Sequence, residues 1–163
     1  MSIRETCEWL QSLDFPREIR ESTWLFPTIE TVHVLALVVV VGSISMVDLR
    51  LLGLANRRRS LSDLTAEALP WTWSAFAVAA IAGLLMFSSK ATTYYENIPF
   101  RLKMICMAIA GINMIVFHAV IARKQSDWDF GRPPLDVKLV GGVSLAMWIA
   151  IVAAGRWVGF TTV

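Results

Sequence analysis

Charge is the first thing in short supply. Only 17% of the 163 residues are Asp, Glu, Lys or Arg, against a hydrophobic fraction of 56% and a mean hydropathy of +0.58. Soluble domains carry about 25% charged residues, so a chain this apolar implies lipid as its solvent. The net charge is +2 and the basic residues are scattered through loops, which excludes a nucleic-acid face. Cysteine is scarcer still. Cys7 and Cys106 form no CxxC and have no partner cysteines at metal-site spacing, so they build neither a disulfide framework nor a structural zinc site and are read as packing residues. The N-terminus lacks an uncharged run: Arg4, Glu5, Glu8, Asp14, Arg17, Glu18 and Arg20 leave no room for the apolar region of a cleavable signal peptide. The first spanning helix is therefore expected to act as the insertion signal.

What is present is four long apolar stretches. A bilayer core takes about 20 apolar residues in a helix, and Pro27 to Val47, Trp71 to Ser88, Pro99 to Ala122 and Val137 to Phe160 each qualify. Pro27, Pro70 and Pro99 stand where a helix start tolerates a missing N–H, and Trp24, Trp71, Trp73 and Trp157 lie at the interfacial depth that indole prefers. Ahead of the first span, Ser2 and Glu5 have capping-box spacing. Ile3, Cys7, Leu10 and Leu13 recur at helical intervals opposite Arg4, Glu5, Glu8 and Gln11. Residues 2–14 thus predict a short amphipathic helix on the membrane surface. The loop from Arg50 to Leu69 has room for another amphipathic turn or two, while Gln125 to Asp136, with Gly131, Pro133 and Pro134, reads as irregular. The prediction is an all-α integral membrane four-helix bundle, one domain over 1–163, in a bacterial inner membrane. The cluster Arg57 to Arg59 beside a helix end places the long loops inside, and hence both termini on the periplasmic side.

Ionisable groups in a membrane helix are costly and mark candidate sites. Here they fall into two layers. Glu30 and His33 share one face near the outer end of the first span, and Lys103 and Arg156 are expected at the same depth. Asp48 and Arg50 at the inner end of the first span match Asn113 and His118 on the third. The two histidines do not clamp one iron. The first and third spans run in the same direction, and a rise of 1.5 Å per residue sets the imidazoles roughly 15 Å apart in depth, whereas axial ligands of one iron lie about 4 Å apart. Cofactor partners for His33 at its own depth are Met86, Met104 and Met107, with Lys103, Arg101 or Arg156 free to neutralise haem propionates. A cofactor-free alternative stands beside this: Glu30 hydrogen-bonds His33, and the methionines fill space. An Asp48–His118 pair likewise needs no ligand. Thioethers suit Cu(I), but only Met104 and Met107 are suitably spaced for it. Ala79, Gly83, Gly111, Gly141 and Gly142 read as residues that permit close helix contact.

The segments WLFPTIETVHVLALVVVVGSISMVDLRLLGL, LPWTW, NIPFRLKMICMAIAGINMIVFH and SLAMWIAIVAAGRWVGF resemble a bacterial family of small four-helix membrane proteins without an assigned activity. That resemblance would make Glu30, His33, Gly42, Asp48, Arg50, Asn113, His118, Gly155 and Arg156 recurring residues. More remotely, the order His33, Lys103, His118 is similar to HemJ-type protoporphyrinogen oxidases and the membrane domain of the CopD copper-resistance family. This likeness implies haem b, with His33 as ligand and Lys103 beside it. The lysine-to-histidine interval is about one helical turn longer than in the oxidases, so oxidase activity is not transferred. The expectation from sequence is a small b-type, cytochrome-like electron-transfer protein, not an enzyme on its own. His33 would be oriented by Glu30, and a quinone or a periplasmic redox protein would be the partner. Two further readings are kept: copper handling through Met86, Met104, Met107 and His33, and a cofactor-free scaffold or homo-oligomer packing on its Gly/Ala faces.

Overall fold

A computed structural model describes residues 2–55, 59–121 and 133–161. Its elements are α1 Ile3–Ser12, α2 Asp14–Glu21, α3 Leu25–Leu51, α4 Leu61–Ser89, α5 Ala91–Glu96, α6 Ile98–Val116 continued by a π-helical turn Phe117–Ile121, and α7 Leu135–Thr161. Arg57 and Arg58, the end of the third span at Ala122, and most of the irregular connection expected from Gln125 onward lie outside the described residues.

The long helices α3, α4, α6 and α7 are each apolar enough and long enough to cross a bilayer. In none of them is more than 22% of the most apolar stretch buried by the protein itself. Apolar surface left uncovered on this scale is stable only in lipid, and the chain is a multi-pass membrane protein. One face of the bundle carries both termini and α5, and is called here the terminal face. The other carries the two longer connections, and is called the loop face.

At the terminal face the capping box forms as its spacing predicts. Ser2 Oγ accepts from the Glu5 N–H at 3.2 Å, and Glu5 Oε2 accepts from the Ser2 N–H at 2.8 Å. Leu13 then turns extended, and a second short helix, α2, follows where the sequence suggested none. The pair docks over the corner between α4 and α5. Gln11 Oε1 accepts from the Thr92 hydroxyl at 3.0 Å, Arg20 donates to the Ser89 carbonyl at 3.2 Å, and Cys7 and Ile19 are buried beneath. Ile3, Trp9 and Phe15 stay exposed.

Helix α4 begins ten residues ahead of the expected span, so Pro70 lies inside it and not at its start. Hydropathy shows only the apolar part of this helix. Its first turns are fixed instead by the Ser60 cap, whose hydroxyl accepts from the Asp63 N–H at 3.0 Å, and by burial of Leu61, Leu64 and Ala68. Pro27 and Pro99 do fall in the first turns of α3 and α6, where no intrahelical N–H bond is lost.

Two antiparallel hairpins make up the bundle: α3 packs along α4, and α6 along α7. They join where α3 crosses α7 and, at the terminal face, through α5 and the stacking of Phe87 on Phe100; toward the loop face α4 and α6 stand apart across a gap. The crossing depends on Gly141. A Cβ there would stand 2.8 Å from the Leu51 Cβ and 3.1 Å from the Asp48 carbonyl oxygen, neither of which can swing aside. Just beyond, α3 closes in a Schellman turn: Gly53, at φ 71°, donates to the Arg50 carbonyl and Leu54 to that of Leu49. Arg50 is fully buried, and its Nε donates to the Arg59 carbonyl at 3.2 Å, tying the loop to the helix end. Leu51, Leu61 and Val137 form the core at this face.

Candidate functional site

The two polar layers expected from sequence are built differently. In the layer toward the terminal face, the ring of His33 lies against Gly83 of α4, whose added Cβ would be 3.2 Å from the ring Cε1. The Nδ1 of His33 is 2.7 Å from the Ala79 carbonyl oxygen. Donating a proton to that carbonyl leaves Nε2 as the free lone pair. The orienting partner of the imidazole is therefore this backbone carbonyl, not Glu30, which is exposed one turn earlier. A carbonyl already bonded within its own helix keeps a second lone pair for such a donor, and a sequence cannot show which carbonyl a ring will find.

Other candidates for this layer are dispersed. Lys103 lies against Gly155 of α7, with Nζ 3.7 Å from the position of an added Cβ there. Arg156 is exposed and covers Phe160 at 4.6 Å, and Arg101 covers Tyr95 at 5.1 Å while donating to its carbonyl. Met86 is half-buried on α4. Met104 is 38% exposed, whereas Met107, three residues on, lines a cavity nearer the loop face, so the two thioethers point to different surroundings. No group of three or more His, Cys, Asp or Glu side chains within metal-binding reach exists among the described residues. Between α5 and the bundle, Phe87, Tyr94 and Phe100 stack with centroids 5.4–6.3 Å apart. Burial pushes the Tyr94 phenol above its ordinary pKa, and the nearby Glu30 charge adds to the effect.

In the second layer the gap between α4 and α6 widens into a cavity of about 360 Å³. This is within the range of small-molecule sites. Its walls are mostly apolar, with Trp73 and Phe76 from α4, Met107 and Phe117 from α6, and Trp148 from α7. The polar groups on it are few: Asp48, Asn113, His118, Ser144, Thr65 and Thr72. Asp48 is 3% exposed. Its carboxylate takes a hydrogen bond from Ser144 of α7, while Oδ2 has no partner among the described residues. The Nε of Arg50, two residues further on, turns to the Arg59 carbonyl. Asn113 is committed to packing, since its Nδ2 donates to the Val140 carbonyl at 3.0 Å. His118 is exposed at the cavity's loop-face rim, on the π-helical turn, with Phe117 edge-on to it at 5.3 Å. Thr72 is paired with Ser43 of α3 at 2.7 Å.

Three of the second-layer residues singled out from sequence, Asp48, Asn113 and His118, thus meet at one cavity, and Arg50 lies behind it. Sequence reasoning missed Ser144 and Trp148. The available signal was Trp148 itself, an indole deep inside a span and not at its edge, with Ser144 one turn away on the same face.

This chain belongs to the family of unknown function DUF6644, whose model matches residues 24–161. No curated protein and no solved structure matches it.

Proposed function

Starting from a membrane family without an assigned activity, we propose that this protein binds a small molecule drawn from the lipid phase. The ligand would lie between α4 and α6 with its polar end at Asp48. One observation carries the reading: Asp48, a buried carboxylate with one oxygen left without a partner among the described residues, lines an otherwise apolar, aromatic-lined cavity. A buried polar atom left without a partner costs about 1–3 kcal/mol, and a ligand that satisfies it recovers that cost. Apolar walls with a few convergent polar groups are the usual make-up of a ligand pocket. Gly111 supplies the test. It lines the cavity, and a Cβ added there meets nothing within 4 Å, so Gly111→Phe starts its side chain in open space and occupies the cavity. Native mass spectrometry of protein extracted from its membrane is expected to show a retained small molecule that Gly111→Phe loses. A wild-type spectrum free of any adduct, or an adduct untouched by the substitution, overturns the reading.

A second reading is haem b on His33, and it too has a specific support. Histidines that bind metal through one ring nitrogen commonly donate the other N–H to a carbonyl or carboxylate, which is the arrangement His33 makes with Ala79. Lys103 would then be the nearest cation for a propionate, with Met86, Met104 and Met107 the thioethers at hand. The absorption spectrum of the pure protein decides it: a Soret band that His33→Ala abolishes is expected. A colourless protein, or a band surviving the substitution, removes it.

A further inference from the structure

We propose that the ligand of the Asp48 cavity is a lipophilic organic cation, an ammonium or phosphonium whose charge rests on the carboxylate and whose apolar groups rest on the rings. The inference builds on the ligand-binding reading above and adds the sign of the ligand's charge.

Of the described residues lining the cavity only Asp48 and His118 carry an ionisable side chain. Asp48 is the one set deep, and His118 is exposed at the rim. Among the described residues no lysine or arginine pairs with Asp48. The Arg50 guanidinium, closest in sequence, is directed to the loop carbonyl, and the hydroxyl of Ser144 satisfies part of the carboxylate without neutralising it. A carboxyl group so deeply buried either keeps its proton or takes a counter-charge, and a cation seated beside it favours the ionised form. The walls around it supply the other half of cation recognition. Trp73, Phe76, Phe117 and Trp148 bring four aromatic side chains to one cavity. Ring faces attract organic cations, most strongly once water is excluded. A hydrated inorganic ion would gain nothing from those rings and would find too few oxygens to replace its water. An organic cation soluble in the bilayer meets both demands, and the gap between α4 and α6 admits it from the side.

The experiment is equilibrium binding to the purified full-length protein in detergent, with tetraphenylphosphonium as cation and triphenylphosphine oxide as a neutral probe of related shape. Wild type is expected to bind the cation at least tenfold more tightly than the neutral probe. Asp48→Asn is expected to erase that preference while leaving neutral-probe binding intact, which also shows that the variant is folded. Trp148→Ala is expected to weaken the cation more than the neutral probe. Equal binding of both probes by wild type, or undiminished cation binding by Asp48→Asn, overturns the assignment of charge while the ligand-binding reading stands. If neither probe binds wild type, both proposals fall. Should Asp48→Asn not fold, Ser144→Ala and the wild-type preference between the two probes decide the matter alone.

Discussion

The two polar layers of this bundle start from the same kind of residue and end in opposite conditions. Toward the terminal face, His33 is wedged against Gly83 and its Nδ1 is matched to a carbonyl, so α3 and α4 close tightly around it. Toward the loop face, Asp48 is buried more completely and lines a cavity, yet one of its oxygens has no partner among the described residues. Where a polar group is satisfied, it contributes to packing. Where it is left short of a partner in an open space, stability has been given up, and such places are where function is to be sought.

The comparison can be broken by substitution, with melting in detergent as the measurement. The largest effect is expected at the joint between the hairpins. Gly141→Ala forces α7 away from Leu51 and the Asp48 carbonyl, and a loss of about 2–3 kcal/mol is expected. By contrast Gly142→Ala, whose added Cβ meets only Leu52 Cδ2 at 3.7 Å, should stay within about 0.5 kcal/mol of wild type. If the two glycines respond alike, close crossing of α3 and α7 is not what holds the hairpins together. Next comes His33→Ala, which removes one hydrogen bond and the ring that fills the space beside Gly83. It should cost about 1–2 kcal/mol. Smallest, and opposite in sign, is Asp48→Asn. An amide keeps a bond to Ser144 and no longer places a buried charge, so stability should be unchanged or higher by up to about 1 kcal/mol. A clear loss there would make Asp48 a structural residue like His33 and end the contrast.

The spans were legible from sequence because a bilayer imposes length and hydropathy directly. The start of α4 was not: Ser60 to Leu69 is stabilised by a cap and by local burial, and Pro70 reads as a beginning when hydropathy is the only guide. Residue identity marked Asp48, Asn113 and His118 as one layer, since an ionisable group in lipid is conspicuous whatever surrounds it. It could not reveal the cavity between them. A cavity is an absence of contact between the loop-face halves of α4 and α6, and no single residue encodes that. For the same reason the partner of His33 was misjudged. Glu30 is visible as a side chain, whereas the Ala79 carbonyl is one of many identical backbone groups.

The way the helices are tied together has a mechanical consequence. His33 to Ala79 and Ser43 to Thr72 bind α3 to α4, while Asn113 to Val140 and Asn97 to Thr161 bind α6 to α7. Each tie stays within one hairpin. Between the hairpins stand the Gly141 contact and the hydrogen bond of Asp48 to Ser144 toward the loop face, and α5 with the Phe87–Phe100 stack at the terminal face. Toward the loop face the molecule is thus put together like a book, with α3 and α7 as its spine and α4 and α6 as the edges of its covers, fastened to each other only at the terminal end. A guest could pass between those edges without severing a tie inside either cover. The residue it would reach at the bottom is the one that pins the spine, so whatever engages Asp48 pulls on the hinge itself.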